Sequence, residues 1–233
     1  MNPFIVCDDA DLARAADAAV LSAFSNAGQR CAAGSRIIVF DEVYDQFVGM
    51  LVERAEAQRV GPGDDDDFGP VINERQLDNM LSAVSKATEA GARVLTGGER
   101  MGDPEHGDGF YMAPTILEGA AVDSEISRQE LFGPITTVHR ASGFLEAVDA
   151  ANASPYGLTA AVWTDSVHRA QEFLAAIQSG VASVNGPTYG SEPHMPFGGL
   201  RNSGTGWREA GTEALDVYSD LKTVYVNHDP GRV

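Results

Sequence analysis

Apolar residues in this chain follow two alternating patterns: short runs of strand length and stripes at helical spacing. Leu12, Ala16, Ala19, Val20 and Ala23 share one stripe, which predicts a helix capped by Asp8-Asp9 and ending near Gly28. The apolar run at 36–40 reads as a strand. Helical spacing returns over 42–58, with Val43, Phe47, Met50, Leu51 and Ala55 facing inward. Leu77, Leu81 and Val84 predict a helix over 73–90 that Gly91 stops. Further strands are expected at 93–96, 135–139, 158–164, 181–184 and 223–226, with helices near 143–152, 166–178 and 209–217. Residues 61–70 and 97–109 read as loops from their glycines, prolines and polar residues.

Strands alternating with amphipathic helices predict an α/β domain, layered around a mainly parallel sheet. No internal repeat interrupts the pattern. The four aspartates at 64–67 read as a solvated loop, because no calcium-loop spacing accompanies them.

Composition narrows the function classes. With 233 residues, 43% hydrophobic and 21% charged, the chain can bury a sizeable core, which excludes a mostly disordered protein. The formal charge of −18 repels phosphate backbones and anionic membranes, so nucleic-acid and membrane partners are not expected. Two cysteines, Cys7 and Cys31, make no disulfide framework. The first residues lack the basic and long apolar regions of a signal peptide, and no apolar run approaches a membrane span. The expected location is therefore cytoplasmic.

Cys31 is the residue best placed for chemistry. It follows a predicted helix end and sits among small residues in Gly28-Gln29-Arg30-Cys31-Ala32-Ala33-Gly34. Backbone N–H groups of such a turn can stabilise a thiolate and an oxyanion beside it, and Arg30 adds positive charge. The alternative is a small buried hydrophobe, the ordinary state of a lone cysteine, and that is the expectation for Cys7. Five scattered histidines give no zinc-ligand spacing, so no metal is expected. Glu130-Leu131-Phe132-Gly133-Pro134 ends in a Gly-Pro break that would hold Glu130 and Phe132 at a strand entrance. Residues 193–211 are so rich in glycine that they are either mobile or closely approached by a ligand.

Gly28–Cys31, Glu130–Pro134, Asn185 and Pro196-Phe197-Gly198-Gly199, with the segment at 152–164, resemble the aldehyde dehydrogenase superfamily in order and spacing. The resemblance covers essentially the whole chain. It implies the three-layer α/β catalytic domain over residues 1–220, with an oligomerisation strand and tail over 221–233. It also implies that Cys31 attacks an aldehyde to give a thiohemiacetal, then a thioester, with NAD or NADP as hydride acceptor. Glu130 and Phe132 would contact the nicotinamide ribose and ring, and Glu209 would serve in a proton relay. Trp207 is an apparent one-residue insertion beside that last match.

In the family, a general-base glutamate lies shortly before an Asn-Pro pair, which here is Asn2-Pro3. The resemblance therefore implies a catalytic half whose base, oxyanion-hole asparagine and dinucleotide-binding domain lie outside these residues. Activity would then need that N-terminal half. The implied partners are a small aldehyde, with a semialdehyde among the candidates, and further copies of the chain or a complementing half. The alternatives are a truncated, non-catalytic aldehyde dehydrogenase-like subunit or interaction module, and a thiol hydrolase using Cys31 without a cofactor.

Overall fold

The computed structural model describes residues 1–102, 106–107, 109–228 and 231, so parts of the loop expected over 97–109 and of the tail lie outside it. Seven strands form the main sheet: β1 (Asn2–Val6), β2 (Gly34–Phe40), β3 (Arg93–Thr96), β4 (Thr115–Glu118), β5 (Ile135–Ala141), β7 (Thr159–Trp163) and β8 (Val181–Val184). Their order is β3-β4-β5-β2-β1-β7-β8, and every pairing is parallel except β3 with β4. A two-stranded ribbon joins β6 (Tyr156–Gly157) to β9 (Leu200–Arg201).

Strand periodicity builds the layers. In β1, Phe4 and Val6 enter one core, whereas Ile5 and the following Cys7 enter the other. The first core lies under α1 (Leu12–Phe24), α2 (Tyr44–Glu56) and α3 (Glu74–Glu89). The second lies under α5 (Phe144–Asn152) and α6 (Val167–Ala176), through Ala147, Val148, Ala151 and Phe173. Helices on both faces explain why β1 from Pro3 and β2 from Ile37 run on as continuous apolar residues rather than alternating ones. The short α4 (Glu125–Arg128) and α7 (Ala214–Val217) are single turns. Among the described residues no helix is long and apolar enough to cross a membrane.

Three expectations are corrected. The cap of α1 is Asp11, whose side chain accepts from the Arg14 N–H. Asp8 and Asp9 instead face Arg169, at 2.5 and 3.1 Å. The helix expected over 209–217 shrinks to α7, because Ala210 and Gly211 adopt positive φ and Glu209 pairs with Phe197. The strand expected at 223–226 joins no ladder, and its residues are exposed. A strand needs a partner for its N–H and C=O groups, and this segment finds none within the described residues. β1 and β4 were not foreseen as strands.

One buried charge ties the second layer together. Arg36 of β2 is fully buried, and its guanidinium donates to the Ala150 and Ala151 carbonyls, 2.8 Å each. These carbonyls belong to the last turn of α5, where a cation is favourable, and Ala150 O also accepts from the Ala153 N–H at 3.3 Å. Burial pulls the Arg36 pKa down to about 10, so it stays charged at neutral pH.

Candidate active site

The segment Gly28–Cys31 follows a short turn after α1 in which Asn26 and Ala27 adopt positive φ. Each of its residues has a separate contact. Gly28 has φ +64°, and a Cβ there would overlap the Gly133 carbonyl. The Gln29 side chain donates to the Pro70 carbonyl at 3.2 Å and accepts from the Ile72 N–H at 2.9 Å. Arg30 lies over the Tyr189 ring, 4.9 Å from its centroid. Cys31 is exposed and free, and the Ala33 N–H closes the turn on the Arg30 carbonyl at 3.1 Å.

The carbonyls of this turn are held from beneath. Asn2 donates to Cys31 O and Ala33 O at 2.8 and 2.7 Å. Thr188 Oγ1 donates to Ala32 O at 2.7 Å. Both residues are buried. Neither Thr188 nor this use of Asn2 was legible in the sequence. The available signal was a polar residue heading the apolar run Pro3–Val6, since buried polar side chains are there to bond something.

Cys31 opens into a cleft of about 450 Å³ that Glu209 also lines, together with Leu158, Phe197, Trp207 and Arg208. Glu209 is exposed, and its backbone exchanges two 2.7 Å hydrogen bonds with Phe197. Two residues far apart in sequence, Cys31 and Glu209, thus share one cavity. Residues 193–211 form an ordered loop: Gly211 N–H donates to Pro193 O at 3.0 Å, and β9 pairs with β6. Its glycines serve close backbone approach. A Cβ on Gly204 would overlap the Gly199 carbonyl, and one on Gly199 would overlap Ser203.

Glu130 and Phe132 lie in a second, narrower cleft of about 30 Å³, with Gly28, Arg30 and Leu131. The Gly-Pro break does stand at a strand entrance, since β5 begins at Ile135. Gln76 of α3 holds the segment by donating to Leu131 O at 2.5 Å. Phe132 adopts φ +55° and is 42% exposed. A bulky residue in that conformation is strained, and such strain gathers at functional sites. Adjacent residues Arg30 and Cys31 therefore open on the two clefts, one each.

Asn185 has a structural task. Its side chain accepts from Thr164 N at 3.0 Å and donates to Thr164 O at 2.9 Å, extending the β7–β8 pairing by side-chain mimicry. Cys7 is buried at the end of β1, and burial, with Asp9 nearby, pushes its thiol up to about 12.

The aldehyde dehydrogenase family model matches residues 1–224. The chain is 40% identical over 227 residues to a mitochondrial aldehyde dehydrogenase of Leishmania tarentolae, covering 96% of this chain and 44% of that one. It is 36% identical over 227 residues to an alpha-ketoglutaric semialdehyde dehydrogenase of Bacillus subtilis, covering 97% of this chain and 46% of the relative. A crystal structure of betaine aldehyde dehydrogenase from Staphylococcus aureus with NAD+ superimposes with a TM-score of 0.90 at 33% identity, over 93% of this chain and 43% of that one. The chain thus spans less than half the length of these relatives. Matched by the family model over nearly all its residues, and sharing the fold of such enzymes, it belongs to the aldehyde dehydrogenase family.

Proposed function

We propose that Cys31 is the nucleophile of an aldehyde-oxidising site that turns an aldehyde, in the favoured reading a semialdehyde, into a carboxylate. The observation that carries this reading is an exposed thiol on a pinned turn, sharing one cleft with Glu209 and an apolar wall of Leu158, Phe197 and Trp207. The semialdehyde preference rests on relatives such as the Bacillus subtilis enzyme.

The Cys31 sulfur adds to the aldehyde carbon and gives a tetrahedral thiohemiacetal. No protein group among the described residues accepts from the Cys31 N–H, which leaves it to donate to the new oxyanion. Loss of hydride from that carbon gives a thioester on Cys31, and water then releases the carboxylate and restores the thiol. Glu209 takes up and passes on the proton released in that step, as a carboxylate facing solvent can.

Glu130 and Phe132, at the second cleft, are read as the residues that would meet the nicotinamide-ribose end of NAD or NADP. Glu130 presents an exposed carboxylate that can accept from ribose hydroxyls, and Phe132 presents an exposed aromatic face to a planar ring. When bound, NAD or NADP supplies the hydride acceptor.

Residues 1–220 are read as the catalytic unit and 221–233 as an arm that pairs with another subunit. The exposed apolar side chains Leu221, Val224, Tyr225 and Val226 support that assignment.

The test replaces the matching half of the Bacillus subtilis relative with this chain and measures carboxylate formed from a semialdehyde with NAD or NADP. Activity lost in Cys31→Ser supports the reading. Activity retained in Cys31→Ser, or a folded chimera that forms no carboxylate, overturns it.

A further inference from the structure

Three consecutive carbonyls of the Cys31 turn are each taken by a buried side chain from a distant part of the chain. Asn2, 2% exposed, donates both of its amide hydrogens, to Cys31 O and Ala33 O, and its Oδ1 accepts from the Thr159 N–H at 3.2 Å. Its hydrogen-bonding capacity is thereby engaged on both sides, across β1, the turn and β7. Thr188, also 2% exposed, gives its hydroxyl to Ala32 O. Thr188 is fixed in turn by Ser22 of α1: its N–H donates to Ser22 Oγ at 3.1 Å, and that hydroxyl donates to Ala18 O at 2.6 Å.

The planarity of the peptide unit converts this anchoring into a statement about the cleft. In a trans peptide the C=O and N–H point in opposite directions. Drawing the Cys31 carbonyl inward onto Asn2 therefore turns the Ala32 N–H outward, away from the core. Drawing the Ala32 carbonyl onto Thr188 leaves the Ala33 N–H free to close the turn on Arg30 O. The orientation of the backbone dipoles around the sulfur is thus set by two side chains that do not border the cleft.

We infer that Asn2 and Thr188 are positioning residues, which hold the Cys31 turn so that the Ala32 N–H, turned out of the core, is available to the sulfur and the oxyanion. The inference rests on the reading of Cys31 as nucleophile. Its content is specific: the hydrogen bonds, and not the volumes of the two side chains, set the reactivity of the thiol.

The experiment is the rate of Cys31 alkylation by iodoacetamide in the full chain, read by peptide mass mapping, with thermal melting to establish folding. Asn2→Asp keeps shape and removes both donors. Thr188→Val keeps shape and removes the hydroxyl, whereas Thr188→Ser keeps the hydroxyl and removes only a methyl. Cys31 is already exposed, so access does not limit its reaction. Asn2→Asp and Thr188→Val are expected to slow alkylation on the order of tenfold, as misplacement of reacting groups does, and Thr188→Ser to react at the parent rate. If Asn2→Asp fails to fold, the Thr188 pair decides. Folded Thr188→Val reacting at the parent rate or faster overturns the inference, and so does Thr188→Ser reacting as slowly as Thr188→Val. Because no turnover is involved, an inactive chimera with the expected alkylation pattern removes only the functional reading. An active chimera with unchanged alkylation removes only this one.

Discussion

Gly28 packs its bare α-carbon against the carbonyl oxygen of Gly133, joining the turn that carries Cys31 to the segment that carries Glu130 and Phe132. A direct backbone contact therefore links the turn of the first cleft to the segment of the second. A Gly28→Ala substitution meets two penalties, a left-handed backbone and a steric overlap, and should cost about 2–4 kcal/mol. Gly91→Ala is the control, since Gly91 also has positive φ but nothing lies near its missing Cβ. Urea denaturation of the two variants should show the larger loss at Gly28. Equal losses would mean that the Gly133 contact yields without cost.

The two cysteines should separate cleanly in a thiol titration. Cys31 is exposed, whereas Cys7 is buried with its thiol pushed up to about 12. At neutral pH a disulfide reagent should label Cys31 alone in the folded chain and reach Cys7 only in denaturant. Labelling of both thiols without denaturant would contradict the burial of β1.

His139 gives stability a pH dependence. Burial first, and the Arg36 charge second, lower its pKa from 6.5 to about 4. The folded chain then binds fewer protons than the unfolded chain between those values, so stability is intact above 6.5 and falls as pH drops toward 4. The loss should reach about 2 kcal/mol by pH 5. His139→Gln should lose less between pH 7.5 and 5 than the parent, measured by denaturant unfolding at each pH. An equal loss would assign the effect to carboxylates.

Arg36→Met preserves length but removes both donors to the end of α5. The substitution leaves the Ala151 carbonyl without its partner and the Ala150 carbonyl with only the Ala153 N–H, at 3.3 Å. The expected cost is about 2–4 kcal/mol. Removing the charge should also raise the His139 pKa, which NMR titration of the ring can follow.

Much of the layering was legible because periodicity reports burial. The helix over 73–90 and the strand at 181–184 follow from apolar spacing and from stops such as Gly91. The misses share a cause in tertiary context. Asp8 and Asp9 look like caps, yet Arg169 claims them, and the cap falls to Asp11. β1 is short and begins with Asn-Pro, a poor local signal, but its neighbours β2 and β7 pair with it on both sides. The site motifs were visible as unusual composition, and their joining was not. That Gly28 meets Gly133, and that Glu209 shares a cleft with Cys31, follows from chain reversal, which no local pattern encodes.

The most direct test of the account is to treat the chain with an activated ester such as p-nitrophenyl acetate and locate the acyl group by peptide mass mapping. Acyl transfer to an activated thiol needs the nucleophile and its oxyanion donors but no hydride acceptor. The account predicts rapid p-nitrophenolate release with the acyl group on Cys31, and the loss of both in Cys31→Ser. An acyl group on other side chains, with release undiminished in Cys31→Ser, would contradict it.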